Sequence, residues 1–169
     1  SWTPVNDFLG SLVIGNFAMA TNDANTIYAG TNPRGSHTYN PGGVLKSTNQ
    51  GASWSQIAST NPGADAAWER VTRIAVHPTN SSIVLAATDS GAFQSTNGGT
   101  SWTQITSGVA ASFVAFHPTN GNFRAVASDN GQIRYTTTGD LVSGSNTVSV
   151  LASGIYMKIA YATSNTSVM

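Results

Sequence analysis

The chain has 169 residues, the length of one ordinary domain, and 40% of them are hydrophobic, which is enough for an apolar core. Seven Lys and Arg balance seven Asp and Glu, and charged residues make up only 8%, so the basic footprint of a protein that binds nucleic acid or anionic membranes is missing. The absence of Cys excludes disulfides and thiolate metal sites. We therefore expect no nucleic-acid partner, no direct membrane insertion, no metal and no cofactor.

Short β segments separated by turn signals follow one another along the chain. The first five residues, "SWTPV", predict a single outer strand of a preceding or closing blade. The segments after it form four groups, and each group predicts one structural unit. The predicted units are 1–5 for the outer strand, 12–57, 71–105 and 112–151 for three complete units, and 156–169 for the start of a fourth.

The second and third units are copies of one repeat. Ala75 to Gly99 aligns without a gap onto Ala115 to Gly139, at a period of 40 residues. Each copy predicts four strands, separated by an "HPTN" turn, a short turn such as "TDSG", and a Gly-rich turn. Four strands in about 40 residues are typical of a β-propeller blade. The sequence predicts an all-β β-propeller with four-stranded antiparallel blades, in an incomplete ring of about three full blades and partial blades at both ends. Because closed rings have about four to eight blades, we expect an N-terminal portion of a longer propeller, with the remaining blades as its partners.

Two Gly-rich turns, "STNQGASWSQI" and "STNGGTSWTQI", are almost identical. Their Ser and Asn can bond to nearby backbone, Gly can take a positive φ, and Trp can bury its ring between blades. Asn lacks the charge of Asp, which argues against a metal site. We predict a structural role for Ser47, Asn49, Gly51 and Trp54 in the first turn and for Ser95, Asn97, Gly99 and Trp102 in the second.

These turns give the chain a resemblance to the Asp-box, or BNR-repeat, propellers, whose pattern is roughly Ser-x-Asp-x-Gly-x-Thr-Trp. That family includes sialidases, xyloglucan-cleaving glycosidases, sortilin-type receptors and photosystem-assembly propellers. The chain departs from the pattern because Asn49 and Asn97 stand at the Asp position, and the third copy, "YTTTGDLV", lacks both Asn and Trp. The resemblance implies the propeller fold, but the family contains enzymes and binding proteins alike.

The first repeat is 17 residues longer than the others. Met19 and the equivalent Val76 are 57 residues apart, whereas Val76 and Phe116 are 40 apart. The additional residues form two insertions, "NPRGSHTYNPGG" between the second and third strands and "ASTNPGADAAWER" after the fourth strand. Since successive turns of an antiparallel sheet alternate between its ends, both insertions should emerge side by side on one face. The Gly-rich turns and the "HPTN" turns should lie on the opposite face.

The two insertions together hold four of the chain's fourteen charged residues, Arg34, Asp65, Glu69 and Arg70, beside His37, Tyr39 and Trp68. Aromatic rings could stack on sugars while polar groups bond to hydroxyls, as in a carbohydrate site. The alternative is a pair of ordinary surface loops, with Arg neutralising the acids and Trp68 tucked under the second insertion. The predicted ligand-binding residues are Arg34, His37, Tyr39, Trp68 and Arg70.

The sequence favours a binding protein over an enzyme, and a glycoside hydrolase is the enzyme class that it would fit. Glycoside hydrolysis needs two carboxyl groups about 5 to 9.5 Å apart, and Asp65 and Glu69 are the candidate catalytic pair. Asp89 and Asp129 lie in short turns, where Asp is typical for structural reasons. The resemblance to xyloglucan-cleaving enzymes implies an acid at position 32, where this chain has Asn32.

The combined features favour a secreted or cell-surface propeller that recognises a glycan or an extracellular protein through the face with the insertions. A glycoside hydrolase with carboxylate acid and base catalysis is the alternative. A structural or adhesin module in a surface assembly is a second alternative.

Overall fold

The computed structural model describes residues 13–31, 41–143 and 145–149. The predicted strand at 1–5, the fourth unit at 156–169 and most of the first insertion lie outside these residues. Among the described residues, no helix has the length and hydrophobicity that crossing a bilayer requires.

Twelve strands and two short 3-10 turns make up the described elements. The strands are β1 (Ile14–Ala20), β2 (Asp23–Thr31), β3 (Val44–Ser47), β4 (Ser55–Gln56), β5 (Val71–His77), β6 (Asn80–Thr88), β7 (Gly91–Ser95), β8 (Thr103–Ser107), β9 (Ala111–Phe116), β10 (Arg124–Ser128), β11 (Gln132–Thr136) and β12 (Asn146–Ser149), and the 3-10 turns are Ala58–Thr60 and Ala66–Trp68.

The strands form three four-stranded antiparallel sheets, each with its strands in chain order. We call them sheet 1 (β1–β4), sheet 2 (β5–β8) and sheet 3 (β9–β12). The "HPTN" segments turn between the first and second strands, the short turns between the second and third, and the Gly-rich turns between the third and fourth. The predicted all-β architecture of four-stranded antiparallel units is therefore confirmed.

Neighbouring sheets pack face to face, and their first strands β1, β5 and β9 lie side by side. The second strand of each sheet is buried over its last four or five residues because these lie between two sheet faces, which explains uninterrupted apolar runs such as "IVLAA". Between sheets 1 and 2, Tyr28, Val44 and Ile74 are fully buried; between sheets 2 and 3, Leu85 and Val114 are.

The outer face of sheet 1 exposes apolar side chains. Phe17 is 62% exposed and Met19 53%, whereas the equivalent Ile74 and Val76 of sheet 2 are buried against sheet 1. Exposed apolar side chains at alternate positions of β1 are typical of a strand whose face packs on another sheet. No further sheet covers it within the described residues.

The third repeat is one residue out of register with the ungapped alignment. Val84 pairs with Ser95 in sheet 2, and Arg124, 40 positions after Val84, pairs with Thr136, 41 positions after Ser95. The turn between β10 and β11 therefore contains one additional residue. The prediction that Gly139 is equivalent to Gly99 is wrong, since a shift of 41 residues makes Gly139 the counterpart of Gly98.

Tyr28 links sheet 1 to sheet 2 through a buried hydroxyl, which donates a hydrogen bond to the Ser81 carbonyl oxygen at 2.8 Å. Burial, with a smaller contribution from the negative charge of Asp23, raises the pKa of Tyr28 to about 12 from the ordinary 10.0.

We expect this phenol to make the protein sensitive to alkali. Because the folded pKa lies above the unfolded one, its contribution is complete below pH 10 and is lost as the pH rises through about 12. The loss is on the order of 2 to 3 kcal/mol. Urea unfolding at pH 8 to 12 should show a steeper loss of stability in the wild type than in Tyr28→Phe. Equal slopes would contradict this assignment.

Candidate functional site

The Ser and Asn side chains of the two Gly-rich turns make the same hydrogen bonds. The Ser47 hydroxyl accepts from the Gly51 amide at 2.9 Å, and the Asn49 side-chain oxygen accepts from the Ser53 amide at 2.9 Å. Ser95 and Asn97 repeat both bonds, each at 2.9 Å, to Gly99 and Ser101. Gly51 and Gly99 have φ values of 85° and 92°, which favour glycine. The polar side chains of these turns are thus engaged in holding the backbone.

The Trp residues that end the two turns have different surroundings. Trp54 is partly exposed, with its ring 6.0 Å from that of Phe17 and its indole nitrogen donating to the Gly51 carbonyl oxygen at 3.1 Å. Trp102 packs on Trp68 at 5.0 Å. The Gly99 carbonyl, the counterpart of Gly51, accepts a hydrogen bond from the Ser59 hydroxyl instead.

The second insertion lies in the β4–β5 connection, residues 57–70, and is held to β3 by a Thr–Gly contact that sheet 2 also has and that we call its base. The Thr60 hydroxyl accepts from the Val44 amide at 3.0 Å, as the Thr106 hydroxyl accepts from the Ala92 amide at 2.9 Å. In both sheets a glycine of positive φ, Gly43 or Gly91, lies directly against the carbonyl of that Thr. This base was not predicted, although a Thr follows the Ile in both "SQIAST" and "TQITSG".

Gly43 also ends the first insertion, so the two insertions meet at this base. The Thr31 hydroxyl donates to the Gly43 carbonyl oxygen at 2.8 Å, and the Gln56 side chain donates to the Gly42 carbonyl oxygen at 2.9 Å. The predicted residues Arg34, His37 and Tyr39, together with Asn32, lie outside the described residues.

Strand alternation alone predicts that the second insertion and the Gly-rich turns lie on opposite faces. In the structure, the start of the insertion instead contacts the second Gly-rich turn. Residues 57–59 lie against residues 98–100 of the second turn, and Ser59 bonds to Gly99. Sheet twist explains the difference, because it rotates the outermost strand relative to the innermost one and brings its end to the neighbouring sheet.

Trp68 lies inside the molecule. Its ring is 2% exposed and packs against Phe93 at 4.8 Å and Trp102 at 5.0 Å. A ring enclosed in this way has no free face on which a sugar could stack, so the structure places Trp68 in the core instead of at a ligand surface. This position agrees with the alternative prediction, in which Trp68 is tucked under the second insertion.

The polar residues of the insertion lie at the surface. Asp65 and Glu69 are exposed, and the Asp65 carboxylate caps the second 3-10 turn by accepting from the Ala67 amide at 2.9 Å. Arg70 forms an ion pair with Asp89 of the β6–β7 turn at 3.4 Å. This pair joins the insertion to sheet 2. We define the insertion surface as residues 61–70 together with Asp89 and Ser90.

The histidine side chains of the "HPTN" turns bond to their own turns. Nδ1 of His77 accepts from the Thr79 amide at 3.2 Å, and Nδ1 of His117 accepts from the Thr119 amide at 3.2 Å. Burial and, to a lesser extent, the charge of Arg124 lower the pKa of His77. The described part of the chain holds no group of three His, Cys, Asp or Glu side chains that could share a metal ion.

Known proteins were compared with the chain by sequence and by structure. No protein-family model and no curated protein sequence matches it. Among solved structures, an ancestral GH74 enzyme is similar at a TM-score of 0.66 and 27% identity, over 92% of this chain and 20% of that one. The GH74 xyloglucanase from Xanthomonas campestris is similar at a TM-score of 0.61 and 17% identity, over 90% of this chain and 26% of that one. YCF48 bound to D1 peptide is similar at a TM-score of 0.55 and 12% identity, over 83% of this chain and 41% of that one.

These β-propeller neighbours share the arrangement of four-stranded sheets found here. The chain has the fold of a partial β-propeller. Its three sheets are propeller blades, and it spans a fifth to two fifths of the length of these neighbours.

In this partial propeller, β1, β5 and β9 are the innermost blade strands, and the second insertion bridges the first two blades. The bridge consists of the Thr60 base on sheet 1, the buried Trp68 and the Arg70–Asp89 pair on sheet 2. The insertion is therefore fixed near its start at Thr60 and near its end at Trp68 and Arg70.

Proposed function

We propose that the chain is part of a secreted or cell-surface propeller of the Asp-box type that recognises a glycan or an extracellular protein through the insertion surface. The fixed attachment of residues 57–70 to two blades carries this proposal. A loop that is anchored in this way presents its polar groups without a large loss of conformational entropy on binding.

The chemistry of the insertion surface supports a polar ligand. It exposes Asp65, Glu69 and Asp89 beside the Arg70 guanidinium, with the Asn61 side chain at its edge. Carboxylates and a guanidinium together offer strong acceptors and donors, which suit sugar hydroxyls or the polar groups of a peptide. The predicted residues Arg34, His37 and Tyr39 would add to this surface from the adjoining insertion.

The Asp-box assignment is supported by the shared hydrogen bonds of the two Gly-rich turns, in which Asn49 and Asn97 supply the side-chain acceptor that Asp gives in the box pattern. We further propose that another blade of the same propeller covers Phe17 and Met19. The burial of the equivalent Ile74 and Val76 supports this proposal.

A glycoside hydrolase is the second candidate. It is favoured by the 27% identity to an ancestral GH74 enzyme over most of this chain, and by the exposure of Asp65 and Glu69 within one short segment. In that case one of these carboxyls would act as the acid, and its partner would come from the same segment or from another blade.

A screen for binding and cleavage tests these proposals. The purified full chain is offered neutral and acidic polysaccharides, xyloglucan among them, and extracellular proteins, while reducing ends are measured in parallel. Retention without cleavage is the expected result. Cleavage that Glu69→Gln abolishes would favour the hydrolase, and absence of both retention and cleavage would leave the structural or adhesin module.

A further inference from the structure

A cleft of about 230 Å³ lies between sheets 2 and 3, with Arg134 on its wall. The other polar side chains that line it are hydroxyls and amides, and Arg134 is the only charged residue among the described residues of the lining. The polar lining consists of Thr106, Ser107, Ser128, Asn130, Gln132 and Thr147.

The corresponding space between sheets 1 and 2 is filled by the protein itself. Phe93 pairs with Ala86 in sheet 2 and Arg134 with Val126 in sheet 3, so Phe93 and Arg134 are equivalent. Trp68 covers Phe93 at 4.8 Å. It can do so because the connection from β4 to β5 has 14 residues, whereas the connection from β8 to β9 has three, Gly108 to Ala110.

Two differences therefore occur at the same place. The short connection supplies only Val109, which lines the space without filling it, and the apolar Phe is replaced by a cation. Arg134 donates one hydrogen bond, from Nη1 to the Ile105 carbonyl oxygen at 2.6 Å, which holds the guanidinium against sheet 2. Its other donors have no partner among the described residues, and a guanidinium has five N–H groups in a planar fork that matches a carboxylate.

We propose that this cleft binds a carboxylate-bearing sugar residue, such as a uronic acid unit of a polysaccharide. The carboxylate would pair with Arg134, and the ring hydroxyls would bond to the surrounding hydroxyl and amide side chains. The volume accommodates one pyranose ring, and the density of small polar side chains favours a sugar over an acidic peptide. The site is separate from the insertion surface and does not depend on a ligand binding there.

Calorimetric titration of the full chain with oligogalacturonate tests the proposal. We expect binding that weakens as salt increases, no binding of a neutral galactose oligomer, and a loss of at least about tenfold in Arg134→Gln. Arg73→Gln is the matched control, because it removes an exposed guanidinium that stacks on Phe113 at 4.4 Å, away from the cleft. It should leave the affinity unchanged.

A second variant guards against a folding defect in Arg134→Gln. Val109→Phe enlarges a partly buried side chain of the lining without altering any charge, and should block binding while leaving thermal unfolding unchanged. The proposal is overturned if oligogalacturonate does not bind, if the neutral oligomer binds equally well, if both Arg variants weaken binding alike, or if a poly-glutamate peptide binds in its place. Loss of binding in Glu69→Gln with full binding in Arg134→Gln would assign an acidic sugar to the insertion surface instead.

Discussion

Replacing Trp68 with alanine is expected to lower the free energy of unfolding by about 3 to 5 kcal/mol. The indole is 2% exposed and packs between Phe93 and Trp102, so its removal leaves a cavity between the first two blades. The same change releases the end of the insertion. Urea denaturation monitored by circular dichroism measures the loss.

Trp54→Ala is the control for this experiment. Trp54 is the equivalent of Trp102 in the first Gly-rich turn, but it is partly exposed, and its ring centroid lies 6.0 Å from that of Phe17. We therefore expect a smaller loss of unfolding free energy, about 1 to 2 kcal/mol. If Trp68→Ala loses ligand binding but keeps the stability of the wild type, the ring belongs to a ligand site and its placement in the core is contradicted.

Gly91→Ala is expected to destabilise the protein by about 3 kcal/mol or more. Gly91 has a φ of 133°, a conformation almost restricted to glycine, and an added Cβ would lie 1.9 Å from the Thr106 carbonyl oxygen. Because that oxygen belongs to the backbone of β8, relief requires the outer strand of sheet 2 to move.

Gly108→Ala separates the two causes. Gly108 also has a positive φ, 73°, but an added Cβ would meet nothing within 4 Å. Only the backbone preference is lost there, which costs about 1 to 2 kcal/mol. Equal losses for the two variants would show that the close approach of Gly91 to Thr106 does not contribute.

The fold could be predicted because its signals are local and repeated. Turn residues such as Pro78 and Gly99 mark the ends of strands, and the apolar run "IVLAA" fits a central strand between two faces. The shift of one residue in the third repeat could not be predicted, because Gly98 and Gly99 are adjacent and either can align with Gly139.

The candidate site depended on tertiary contacts that the sequence does not specify. An aromatic residue in a polar loop, such as Trp68, can stack on a ligand or fill a space in the core, and only the position of Phe93 decides between them. The Arg70–Asp89 pair joins the end of the insertion to a turn of sheet 2 that lies 19 positions further along the chain. The cleft beside Arg134 results from a short connection and becomes visible only when two junctions between blades are compared.

The affinity of the Glu69→Gln/Arg70→Gln double variant tests the central claim, that the anchored insertion surface binds the ligand. The ligand is the polysaccharide or protein that the full chain retains in the binding screen, and Thr79→Ala, in the exposed β5–β6 turn, is the control. We predict that the double variant binds about 10 to 100 times more weakly while the control binds as the wild type does. Unchanged affinity in the double variant, or an equal loss in the control, would contradict the claim.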